Sequence, residues 1–266
     1  MLKKGIMMTS TTIERMTRDV HLSGKDLMAM VQLRPQDVGK YAIVPGPKER
    51  LDSLVKKMEN PIKNFSFMEY NMFTGTINDT KITGINGGRF AADTSITTEI
   101  LCNAQVKALI RIGSCGALRK DIKIGDFIVA TGCVRGDGVT PYYVNDNFET
   151  LPDAGLTKKI TEIAKNLAAT AGMNVHEGKV WSTDAILRET KEIVNPVIEK
   201  GAVGVDMVSS AFLTIAQTYK IPAVSILAVS DNLMTGQMGF INPDYYMAEG
   251  MLIQIALELV KHLENN

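Results

Sequence analysis

The chain has 266 residues, with 29 Lys and Arg against 29 Asp and Glu. A formal net charge of zero argues against a nucleic-acid surface, which needs a basic excess. No apolar run approaches the roughly 20 residues of a membrane span, and Met1-Leu2-Lys3-Lys4-Gly5-Ile6 lacks the apolar core of a secretory signal. Cys102, Cys115 and Cys133 form no CxxC pair, and an odd count in a long chain predicts a reducing, cytoplasmic setting. The 15 methionines suit core filling and adaptable interfaces. With no linker, repeat or low-complexity tract, the sequence predicts one domain over 26–266, preceded by a polar, loosely ordered extension over 1–25.

In chain order, a short strand is predicted at 41–44, ending in Pro45-Gly46-Pro47. A helix follows over 48–58, with Leu51, Leu54, Val55 and Met58 on one face. Strands are expected at 67–77 and 80–86, around an Asn78-Asp79 turn. A helix spans 94–105, with Ile96, Ile100 and Leu101 turned inward. A strand at 106–112 then runs into a glycine-bearing loop. Another strand covers 126–131, and 132–150 reads as a long loop. An amphipathic helix at 156–171 puts Ile160, Ile163, Ala164, Leu167 and Ala168 on one face. A strand at 179–182 precedes a helix at 189–200 that Pro196 should kink or split. The remaining elements are a strand at 202–207, a helix at 209–219, a strand at 223–229 stopping at Ser230-Asp231-Asn232, and a helix at 244–263. This alternation predicts an α/β fold, a single domain with a central mixed β-sheet flanked by helices.

In such folds ligands gather at the carboxyl ends of strands. Polar or glycine-rich clusters fall there at 45–50, 86–95, 111–116, 206–210 and 230–232. The most informative is Arg111-Ile112-Gly113-Ser114-Cys115-Gly116-Ala117. Arginine offers a planar fork of donors suited to an oxyanion. Serine adds a hydroxyl, and glycine lets backbone N–H groups approach the same anion. The alternative is a glycine turn after a strand, with Arg111 in a structural ion pair. Gly46 and Arg50 form a second grip, a glycine turn opening a helix with an arginine one turn on. Together, Gly46, Arg50, Arg111 and Ser114 form a candidate phosphate site. His21, His176 and His262 stand in no ligand spacing, so no metal is expected. Arg135-Gly136-Asp137-Gly138, in the long loop, reads as a solvated turn in preference to a border of the pocket.

These motifs resemble the nucleoside phosphorylases of the trimeric or hexameric type, which include uridine phosphorylase and bacterial-type purine nucleoside phosphorylase. The resemblance runs from about Leu33 to Leu263. LRPQDVGKYAIVPGPKER is similar to the start of uridine phosphorylases, RIGSCGAL to the family's phosphate motif, GVDMVSSA to its ribose motif, and VSDN to the purine enzymes' catalytic aspartate segment. The resemblance implies that Gly46, Arg50, Arg111 and Ser114 hold phosphate and that Met207 packs on the ribose. It implies that Asp231 is the general acid at purine N7, and that Trp181 faces the base. The alternatives are a core tryptophan and, for Asp231, a turn cap.

The chain also departs from the family pattern. Pro47-Lys48 follow Gly46 where the family has Asp-Pro, and Val208 stands at the ribose glutamate. Met30 and Met68 stand at the histidine and arginine that a neighbouring subunit lends. Arg188 and Glu189 follow Asp184 in place of the residues that read uracil. Asp206, Ser209 and Arg188 are then candidates to compensate at the sugar. The resemblance implies phosphorolysis of a nucleoside, uridine or purine, to free base and ribose 1-phosphate in nucleoside salvage. It implies phosphate as co-substrate, no other cofactor, and a homo-oligomer from dimer to hexamer. A hydrolytic nucleosidase of the same fold and a non-catalytic nucleoside-binding homologue are the other readings.

Overall fold

The computed structural model describes residues 21–265. Most of the expected loose extension therefore lies outside the described residues. Within it, α1 (Gly24–Met30) starts at a capping box, in which Ser23 and Asp26 satisfy each other's backbone N–H.

The strands are β1 (Tyr41–Pro45), β2 (Glu59–Phe67), β3 (Tyr70–Ile77), β4 (Thr80–Ile85), β5 (Ala108–Ala117), β6 (Phe127–Gly136), β7 (Val175–Thr183), β8 (Ala202–Asp206), β9 (Ala223–Asn232) and β10 (Gln237–Met238). The further helices are α2 (Lys48–Val55), α3 (Ala91–Asn103), α4 (Ala154–Ala169), α5 (Lys191–Glu199), α6 (Ser209–Thr218) and α7 (Pro243–Glu264). The strands join in one mixed sheet, ordered β10-β9-β6-β7-β8-β5-β1-β4-β3-β2. Because β5 also pairs with β9, the strands β5, β9, β6, β7 and β8 close into a ring.

Side chains alternate across the sheet with period two. On β1, Ala42 and Val44 enter one core with Leu101, Phe212 and Leu227. Tyr41 and Ile43 enter another with Leu51, Ile160, Leu252 and Ile255. Helices α1, α3 and α6 thus cover one face, and α2, α4 and α7 the other.

Several differences from the sequence reading have physical causes. The expected helix to residue 58 stops at Val55, and β2 follows. That strand is mostly exposed, carries Pro61 and is irregular against β3. It is an edge strand with no apolar alternation to read. The β3–β4 turn uses Asn78 and Asp79 at φ of 47° and 62°, the left-handed geometry that closes a tight hairpin. Residues expected in loops after 112, 131 and 229 continue as strand in β5, β6 and β9. Pro196 does not split α5; the carbonyl it leaves unpaired, that of Glu192, belongs to an exposed first-turn residue that water can reach.

Candidate active site

Strand β5 is long enough to change partners along its length. Its first half pairs with β1, from Ala108 opposite Tyr41 to Ile112 opposite Pro45. Its last residues, Gly116 and Ala117, pair with β8. The stretch between, Gly113 to Cys115, passes the end of β1 and faces a cavity of about 240 Å³. Larger surface hollows exist, of about 580 Å³ beside α4 and about 770 Å³ beside β10. Neither contains a converging set of arginines and carboxylates, so the smaller cavity is the candidate site.

Arg50 enters from the first turn of α2 and is 4% exposed. Its Nη1 donates to the Ile112 carbonyl (3.1 Å) and its Nη2 to Ser114 Oγ (2.9 Å). Nη2 also pairs with Glu249 of α7. Ser114 Oγ in turn shares a 2.9 Å hydrogen bond with the Tyr245 hydroxyl.

Arg111 enters from β5 and is 3% exposed. Its Nη1 donates to the Gly88 carbonyl (3.1 Å) and its Nη2 to Asp206 Oδ2 (3.4 Å). The two arginines are close enough that each one's charge bears on the other. Burial, with Arg50 adding to it, lowers the Arg111 pKa from its ordinary value, and Asp206 opposes this. Both Nε groups are buried without a hydrogen-bond partner.

Gly113 of the motif, and Gly88 beside it, also make room for Arg111. A Cβ on Gly113 would lie 2.7 Å from Arg111 Nη2, and one on Gly88 would lie 2.6 Å from Nη1. They clear space for the guanidinium of an arginine held in a strand. The Gly88 segment is itself pinned, since Thr94 and Thr97 of α3 both donate to the Gly87 carbonyl (3.1 and 2.8 Å).

Asp206 lines the cavity, but its acceptor sites face inward. Besides Arg111 it accepts from Ser182 Oγ (2.7 Å), Val208 N (3.1 Å), Ser209 N (3.0 Å to Oδ2) and Ser209 Oγ (2.7 Å). The carboxylate therefore ties β8 to the start of α6 and orients Arg111. Its capacity to accept from a ligand hydroxyl is largely used by these protein donors, although the residue lines the cavity. Met207 and Val208 line the cavity beside it as an apolar surface.

Asp231 reaches the cavity through an irregularity in pairing. Cys115 opposes Val229 and Gly116 opposes Asp231, leaving Ser230 as the extra residue of a bulge. Ser230 Oγ donates to the Asp231 carboxylate (2.7 Å). Asp231 does not cap the following turn. Asn232 does so, accepting from Met234 N (2.8 Å) and Thr235 N (3.0 Å). A Cβ on Gly116 would lie 2.9 Å from Asp231 Oδ2, so glycine there admits the carboxylate. Cys115 borders the same cavity and is 3% exposed. Burial, followed by the charges of Asp206 and Asp231, pushes its thiol pKa well up and keeps it an inert thiol.

The cavity thus brings together Gly46, Arg50, Arg111, Ser114, Asp206, Met207 and Asp231. It does not include Trp181, which is 4% exposed and packs with Leu118, Val194, Val197 and Val205 in a separate apolar cluster. Nor does it include Arg188, which is exposed on the short turn Ile186–Arg188. Its neighbours Ile186 and Glu189 line the cavity instead. Met30 and Met68 are 57% and 76% exposed and lie outside it. Glu249, Tyr245 and Arg89 were not singled out from the sequence, and Glu189 was named there only as a departure from the residues that read uracil. Glu249 and Tyr245 carry no strand-end signal, because they lie on one face of an ordinary amphipathic helix. Among the described residues, no group of three or more His, Cys, Asp or Glu is placed to hold a metal ion. No helix among them is long and apolar enough to cross a membrane.

The family model described as "Phosphorylase superfamily" matches residues 40–257, more than half of the chain. The chain belongs to the phosphorylase superfamily. Among curated relatives of this chain, a DeoD-type purine nucleoside phosphorylase of Bacillus cereus is 27% identical over 210 residues. The match covers 78% of this chain and 88% of the relative. A DeoD-type enzyme of Bacillus thuringiensis matches to the same extent. Among solved structures, uridine phosphorylase from Vibrio fischeri has a TM-score of 0.79 at 26% identity, covering 89% of this chain and 99% of that one. Purine nucleoside phosphorylase from Toxoplasma gondii, in complex with immucillin-H, also has a TM-score of 0.79. At 23% identity, over 88% of this chain and 95% of that one, it supports the fold alone.

Proposed function

We propose that this protein cleaves a purine nucleoside with inorganic phosphate, releasing the free base and ribose 1-phosphate for nucleoside salvage. The observation that carries the reading is the convergence of Arg50 and Arg111, 61 positions apart in the chain, on a single cavity with Asp231 on its wall. Breaking the N-glycosidic bond builds positive charge on the ribose and negative charge on the base. A phosphate dianion held by Arg50, Arg111, Ser114 and the backbone at Gly46 stabilises the first and then attacks C1′. A proton delivered from Asp231 to N7 neutralises the second. Such acid assistance is typically worth about 10²–10⁴-fold in rate. Met207 and Val208 supply an apolar surface under the sugar.

A hydrolytic nucleosidase would not need two arginines at the nucleophile's position, which is why phosphorolysis is preferred. Purine is preferred over uracil because Asp231 suits N7 and because the curated relatives cited above are purine enzymes by name. Phosphate as the only co-substrate, a homo-oligomeric assembly and a cytoplasmic location belong to the same proposal. The test is a nucleoside panel incubated with and without phosphate, with release of base followed. Release of hypoxanthine from inosine only when phosphate is present supports the reading. Equal release in phosphate-free buffer identifies a nucleosidase, uridine-only turnover reverses the base assignment, and binding without turnover identifies a binding protein.

A further inference from the structure

The positive charge at the anion end of the cavity is largely met by the protein's own carboxylates. Arg50 pairs with Glu249, and Arg111 with Asp206. Each Nη atom of the two arginines already donates to a protein oxygen. The other titratable groups on the lining, Asp231 and Glu189, are acidic, and Cys115 is a neutral thiol. A phosphate dianion that leaves water for this cavity gives up its hydration. Two arginines with counter-charges beside them offset only part of that cost.

Arg89 is the remaining cation on the cavity lining. Among the described residues, no carboxylate pairs with it and no hydrogen bond holds its side chain. Its guanidinium lies 5.6 Å from the centre of the Phe90 ring. That ring is 46% exposed and Arg89 itself faces solvent, so the hold is weak.

The backbone of Arg89 is fixed against the anion end. The preceding residue, Gly88, gives its carbonyl to Arg111 Nη1 at 3.1 Å. A Cβ on Gly46 would lie 3.2 Å from that same carbonyl. Thr94 and Thr97 hold the Gly87 carbonyl at 3.1 and 2.8 Å. Arg89 therefore leaves a pinned segment that touches both Gly46 and Arg111, with a side chain free to turn.

We propose that Arg89 is the third arginine of the anion site, turning from the Phe90 ring onto the phosphate dianion and supplying the positive charge that the two paired arginines lack. The inference rests on the phosphate-binding part of the reading above and deepens it. The buried pair, Arg50 and Arg111, fixes where the anion sits. Arg89, on the solvent side, sets how tightly a doubly charged anion is held. Its attraction is exposed to water and is therefore screened by salt.

The experiment is isothermal titration of inorganic phosphate into wild type, Arg89→Gln and Arg89→Lys, in mildly alkaline buffer where phosphate is mainly the dianion. Arg89→Gln should weaken binding at least about tenfold at low salt. Arg89→Lys keeps the charge and should weaken it no more than about threefold. Raising NaCl from about 0.05 to about 0.5 M should weaken wild-type binding more steeply than that of Arg89→Gln. Lys191→Gln, a neutralisation at an exposed position outside the cavity, should bind within about twofold of wild type. Because Arg89 is exposed, its variants should melt within about 2 °C of wild type, which separates lost binding from lost structure.

An Arg89→Gln protein with wild-type phosphate affinity and wild-type salt dependence overturns the proposal and leaves Arg50 and Arg111 as the whole clamp. Equal weakening by Lys191→Gln reduces the effect to general surface charge and overturns it as well. A wild type that binds no phosphate at low salt fails at the earlier step, and refutes the phosphorolytic reading together with this one.

Discussion

Asp206 offers the sharpest separation between a structural role and a ligand role. Replacing it with Asn keeps the volume but converts one acceptor oxygen into an amide donor. Both oxygens face donors: on Oδ1, Ser182 Oγ at 2.7 Å, Val208 N at 3.1 Å and Ser209 N at 3.1 Å; on Oδ2, Ser209 Oγ at 2.7 Å, Ser209 N at 3.0 Å and Arg111 Nη2 at 3.4 Å. Either orientation of the amide sets donor against donor. The change also leaves the Arg111 guanidinium, 3% exposed, without its counter-charge. Removing one partner of a buried pair costs about 3–5 kcal/mol, most of it from the charge left behind. For a domain of this size about 1 kcal/mol shifts Tm by about 2–4 °C. Asp206→Asn should therefore melt about 6–20 °C below wild type, and urea unfolding should show the same loss with little change in slope. A variant with wild-type Tm and only a raised KM for nucleoside would refute the structural assignment. It would restore Asp206 as a sugar ligand.

Other outcomes follow from the same contacts. Gly88→Ala places a methyl carbon 2.6 Å from Arg111 Nη1, the mobile end of a side chain. It should raise KM for phosphate at least about fivefold while costing no more than about 1–2 kcal/mol of stability; an unchanged phosphate KM would mean that Arg111 does not bind the anion. Glu249→Gln removes the carboxylate that competes for Arg50 Nη2. Since Glu249 is 27% exposed, the pair is worth about 1 kcal/mol, and phosphate KM should fall by about fivefold; a rise would show that Glu249 supports the clamp. Trp181, the single tryptophan, should emit as a buried indole, and acrylamide should quench it weakly with or without nucleoside. Strong protection of its emission by nucleoside would place it against the base.

The fold was legible because its buried strands and amphipathic helices follow simple periods, as in β1 and α4. It was less legible where polarity hid an element. β2 is an exposed edge strand, and α1 is set by a local capping exchange between Ser23 and Asp26. The strand-end rule brought Arg50, Arg111, Ser114, Asp206 and Asp231 to one cavity, because all follow or close strands that converge where β5 changes partner. The rule does not reveal which groups hold those residues in place. Glu249 and Tyr245 meet Arg50 and Ser114 only through the packing of the final helix, more than 130 positions away from Ser114 in sequence for Tyr245. Trp181, for which the sequence left a base-facing and a core reading open, packs in an apolar cluster. It lies one residue before Ser182, whose hydroxyl reaches Asp206, and strand alternation turns the two side chains to opposite faces.

The central claim is that Arg50 and Arg111 grip one phosphate. Isothermal titration of inorganic phosphate into wild type, Arg50→Gln and Arg111→Gln addresses it without presupposing a nucleoside. Saturable binding by wild type at one site per chain, weakened at least about tenfold by each substitution alone, is the predicted result. Undiminished phosphate binding by either folded variant would contradict the claim.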